Sequence, residues 1–65
     1  MFSLSRFSTL PGAMLVSLVN TQLRDHFEDL ADLCRYHDIQ AAELQAKLAA
    51  DGFVYQAELN QFREA

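Results

Sequence analysis

The sequence predicts a mainly α fold: a compact three-helix domain with helix-turn-helix-like helices 2 and 3 and a short C-terminal β-hairpin. Three observations carry this. Leu15, Val19, Leu23 and Phe27 recur four residues apart, the helical period. Cap and turn residues at Asp29, His37-Asp38 and Asp51-Gly52 divide the following stretch into two short helices. Phe53-Val54-Tyr55 then switches to strand-forming residues.

Residues 1–9, MFSLSRFST, form an N-terminal extension without a period, in which Phe2, Leu4 and Phe7 either dock on the domain or fray. Residues 10–63 form the single domain. Pro11 suits the first turn of helix 1, where an absent N–H costs no helical bond, and the helix runs over about 11–26 with Met14 and Leu18 widening its apolar stripe. Asp29 caps helix 2 and Asp32 stands three residues on, beside the positive end of the dipole. Leu30, Leu33 and Cys34 point one way, with His37 a turn later, and the helix stops near His37 or Asp38. Helix 3 covers about 40–51, with Leu44 and Leu48 as its buried stripe and alanines elsewhere. Glu43 and Lys47 are spaced as a helical ion pair, and Gly52 supplies a left-handed cap. Phe53–Tyr55 and Gln61–Arg63 pair as a hairpin around a turn that suits Asn60 at positive φ. So small a hairpin must lie on the helices to persist.

Composition narrows the function. With 65 residues, 51% hydrophobic and 22% charged, the chain fits one small globular domain with little room for a substrate, a cofactor and a catalytic constellation. Five Lys/Arg against nine Asp/Glu give a net charge of −4, which disfavours a surface that tracks phosphates. The single cysteine, Cys34, forms no internal disulfide and favours a reducing, cytoplasmic setting. The uncharged run Phe7–Leu23 is too polar to span a bilayer, and Asn20-Thr21-Gln22 offers no signal cleavage site.

Leu10-Pro11, Ser17-Leu18-Val19-Asn20, Leu23-Arg24-Asp25, Leu33-Cys34, Gly52-Phe53-Val54-Tyr55 and Asn60-Gln61-Phe62 resemble a family of very short bacterial proteins, the domain of unknown function family 4250. The likeness covers about residues 10–63, and V-N-x-x-L-R-D with a terminal N-Q-F is its most specific part. It departs at Glu28-Asp29, where a Ser pair is usual, and at Gln40, where an Asp is usual. The resemblance implies a stand-alone bacterial domain and no assigned activity.

Two sets of residues stand out as candidate sites. Asn20, Arg24 and Asp25 form a polar cluster beside the buried stripe of helix 1; they either tie that helix to the hairpin or to helix 2, or form a partner-binding spot. Ala42, Gln45, Ala46 and Ala49 form a small-residue face on helix 3, a candidate interaction face for another protein or a homodimer. His26, Cys34 and His37 fall short of the four donors of a zinc site, and a Cys–His pair on one helix lacks an orienting group, so no metal, cofactor or catalytic residue is assigned. The histidines are expected to be partly exposed around a core cysteine. The expectation is therefore a non-enzymatic interaction or regulatory module. Its alternative is a winged helix-turn-helix regulator, with nucleic acid disfavoured because Lys47 is the only cation on helix 3.

Overall fold

The chain enters its first helix through Pro11, whose φ of −59° and ψ of 145° are extended, so helical geometry starts one residue later than the sequence suggests. Pro11 contributes its carbonyl, which accepts from the Leu15 N–H at 2.9 Å. In this computed structural model, which describes residue 4 and residues 7–65, the elements follow in the expected order. A 3₁₀ turn, Phe7–Thr9, precedes α1 (Gly12–Asp25), α2 (Leu30–His37) and α3 (Ala41–Ala50); β1 (Phe53–Gln56) and β2 (Gln61–Glu64) close the chain. Phe2 lies outside the described residues.

The three helices meet in one core. Leu15, Val19 and Leu23 of α1, Leu30, Leu33 and Cys34 of α2, Leu44 and Leu48 of α3 and Phe62 of β2 are all buried there. Leu4 is buried as deeply as any of them, and Phe7 packs on the same cluster. The described part of the extension thus docks, its 3₁₀ turn lying against α3. The stripe of α1 differs in detail from its sequence pattern: Met14 is exposed and Leu18 only half-buried, while Val16 and Gln22 are buried. The helix is covered on two sides, by the hairpin and by α2 with α3, which turns its buried face away from a simple four-residue stripe.

The caps are local and specific. The Asp29 carboxylate accepts from the Asp32 N–H at 2.8 Å and opens α2. Asp38 ends it in the left-handed region, φ 56°. Gly52, at φ 90°, does the same after α3, a conformation glycine adopts without strain. Gly12 is needed for a different reason: a Cβ there would collide with the Asp51 side chain, which lies against the start of α1. Lys47 reaches that same Asp51, 3.8 Å away and one turn on, and this, not the spaced pair with Glu43, is the ion pair the structure gives it.

β1 and β2 pair antiparallel, with Phe53 opposite Glu64 and Tyr55 opposite Phe62. β1 lies on α3 and β2 on α1. Phe53, Tyr55 and Phe62 face the helices, as alternation predicts, and the Tyr55 and Phe62 rings sit 5.3 Å apart.

Candidate functional site

The polar residues singled out in the sequence gather at the seam between α1 and the hairpin, but they divide into two groups. Asn20 belongs to the framework. Its Oδ1 accepts from the Phe62 N–H at 2.7 Å, and its Nδ2 donates to the Phe62 carbonyl at 3.0 Å. One amide thus acts as a short extra strand along the outer edge of β2. Because Phe62 turns its N–H to Asn20, it faces Tyr55 in the non-hydrogen-bonded kind of pair, which brings the two rings close.

A second amide secures the corner between α1 and α2. Asn60, at φ 51° in the hairpin turn, donates from Nδ2 to the carbonyls of Leu23 (3.3 Å) and Phe27 (3.2 Å). Its Oδ1 accepts from the Tyr55 hydroxyl at 2.8 Å, and that hydroxyl accepts from the Leu30 N–H at 3.3 Å. Helix ends leave such carbonyls and N–H groups without helical partners, so Tyr55 and Asn60 together satisfy the end of one helix and the start of the next. The sequence marked Asn60 as a turn residue but did not reveal this relay, whose bonds to the helices join residues 25 to 37 positions apart.

Among the described residues, Arg24 and Asp25 are partnered within α1 and not across the seam. They bond to each other, Nε to Oδ1 at 2.9 Å and Nη2 to Oδ2 at 3.1 Å, on open surface with 74% of the Arg24 side chain exposed. The hydrogen bond and then the opposite charge raise the Arg24 pKa. The same hydrogen bond, first among its causes, lowers that of Asp25. Beside the pair runs an open groove of about 490 Å³, lined by Asn20, Arg24, Phe27, Glu28, Leu59 and Asn60 among others. Leu59, 53% exposed, is the large apolar residue on its rim. The second candidate set, Ala42, Gln45, Ala46 and Ala49, lies exposed along α3, apart from this groove.

The histidines part company. His26 is exposed, whereas His37 is buried, contrary to the expectation that both reach solvent. His37 is bonded at both ring nitrogens: Nδ1 accepts from the Leu4 N–H at 3.3 Å, and Nε2 lies 2.6 Å from Gln22 Oε1. A backbone N–H can only donate, so Nδ1 is unprotonated and Nε2 carries the hydrogen given to Gln22. Burial holds the His37 pKa below its ordinary value and pushes the Cys34 thiol up. Among the described residues no three His, Cys, Asp or Glu side chains converge as metal donors. No described helix is long and apolar enough to cross a membrane.

These features define a small helical domain whose hairpin is locked to its helices by two asparagines, one in each of the sequence's most specific motifs. The family follows from the same residues: the model of the domain of unknown function DUF4250 matches residues 11–62, and the chain belongs to that family. No curated protein and no solved structure matches the chain.

Proposed function

We propose that the chain is a non-catalytic interaction module that contacts another protein along the groove between α1 and the hairpin. The observation that carries this reading is how the polar side chains are used. Asn20, Tyr55, Asn60, Gln22 and His37 are bonded into the framework, while Arg24 and Leu59 stand exposed on the groove. An exposed cation beside an exposed leucine is the composition of a contact surface, in which an apolar anchor supplies area and an arginine supplies direction. The net charge of −4 favours a protein partner over nucleic acid.

The test is site-specific photo-crosslinking in the cell that makes the protein, with the probe at position 59 and separately at position 46. A discrete adduct from position 59 alone supports the groove. An adduct from position 46 alone moves the contact to the face of Ala42, Gln45, Ala46 and Ala49, and an adduct of twice the chain's mass makes the partner a second copy. The absence of any adduct from either position overturns the reading.

One observation favours a second reading, a winged helix-turn-helix DNA-binding regulator: α2 and α3 are joined through Asp38–Gln40 and followed at once by a hairpin. Charge opposes it. The outward residues Ala42, Gln45, Ala46 and Ala49 bring no cation to a groove of DNA, and Lys47 is drawn to Asp51. A mobility-shift titration at low salt decides: retention of duplex that weakens steeply with salt establishes the regulator and removes the protein-contact reading.

A further inference from the structure

We propose that His37 is a proton-operated latch for the N-terminal segment: the neutral imidazole holds Leu4 in the core, and protonation releases it. The inference stands on geometry and is independent of what the groove binds. Leu4 is fully buried, and its backbone is fixed on both sides, its N–H donating to His37 Nδ1 at 3.3 Å and its carbonyl accepting from the Phe7 N–H at 3.0 Å. The next bond, from the Leu10 N–H to the Phe7 carbonyl at 3.1 Å, carries the segment through the 3₁₀ turn into α1.

Both ring nitrogens of His37 are occupied, and only Nδ1 has a lone pair left to take a proton. A proton there places a donor against the Leu4 N–H, which has nothing to accept it. The charged ring and the docked Leu4 are therefore mutually exclusive states. Among the described residues nothing that packs on the ring offsets the incoming charge: α1 presents the Gln22 amide, the α1–α2 connection presents the Phe27 ring at 5.9 Å, and α2 presents Tyr36 at 5.0 Å. Burial acts against protonation. Release leaves the place of Leu4 among the core leucines open, an apolar opening that exists only in acid.

By linkage, whatever weakens docking must make His37 easier to protonate by the same factor. The test follows the full chain by NMR from pH 8 to pH 5, reading the His37 ring nitrogens and the amide protection of Leu4, Leu44 and Leu48 relative to unstructured rates. The expected result is the neutral Nε2–H form at pH 8, and loss of Leu4 protection in step with His37 titration while Leu44 and Leu48 stay protected. In Leu4→Val the His37 midpoint rises toward the ordinary value of about 6.5. Should Leu4→Val fail to fold, the wild-type titration decides alone. Protection of Leu4 that survives His37 titration, or its loss only together with Leu44 and Leu48, overturns the latch.

Discussion

Asn20 shows how one side chain can stand in for a strand. A sheet of two strands leaves an outer edge with unpaired N–H and C=O groups, and Asn20 covers both groups of Phe62 from α1. Replacing it exposes an asymmetry in the bond. Asn20→Ala leaves a donor and an acceptor of a buried residue unpaired, at a cost of about 1–3 kcal/mol. Asn20→Asp keeps the bond from the Phe62 N–H but sets a carboxylate against the Phe62 carbonyl, so the smaller chemical change is expected to cost a similar amount. Urea denaturation of both variants measures this, and a loss below about 0.5 kcal/mol in each would show that the seam is held by packing alone. Asn20 was legible in the sequence because it sits four residues from Arg24 beside the apolar stripe. Its partner was not, because a bond to the backbone of a residue 42 positions away leaves no pattern in residue types.

Among the elements, α2 leans hardest on its ends. With eight residues it has barely two turns, too few to be stable by propensity alone. Asp29 caps its start, and its finish is a Schellman arrangement: the Ile39 N–H donates to the Cys34 carbonyl at 3.0 Å and the Asp38 N–H to that of Arg35 at 3.3 Å. Asp38 holds the left-handed position, where a side chain with a Cβ is strained and a negative charge opposes the helix dipole. Asp38→Gly removes both penalties and adds backbone entropy to the unfolded chain, for a net gain of about 0.5–1 kcal/mol. In a domain of this size that raises the melting temperature by about 2–8 °C, and a fall on thermal melting would show that the Asp38 side chain holds more than its own turn. The elements themselves were legible since their signals are local: Asp29, Gly52 and the Phe53–Tyr55 alternation act within a few residues. The docking of Leu4 and the burial of His37 were not, since each depends on a partner that only the folded chain brings near.

At the scale of the whole molecule, a chain this short commands only about 3–10 kcal/mol of stability, so a single buried titrating group can shift it visibly. His37 is that group. Burial lowers its folded pKa, so as pH falls past about 6.5 the unfolded chain takes up a proton first and the balance moves toward unfolding. The contribution is complete above about pH 7.5, declines as pH falls through the unfolded value, and levels off once the folded state is protonated too. The urea midpoint is therefore expected to be lower at pH 5.5 than at pH 7.5. In His37→Gln it is expected to be lower than wild type at pH 7.5, because Leu4 and Gln22 lose the imidazole that joins them, but to change less between the two pH values. Comparing the two proteins separates His37 from the exposed His26, which both retain. An equal pH dependence in the variant would place the acid sensitivity outside the contact that joins the N-terminal segment to the helices.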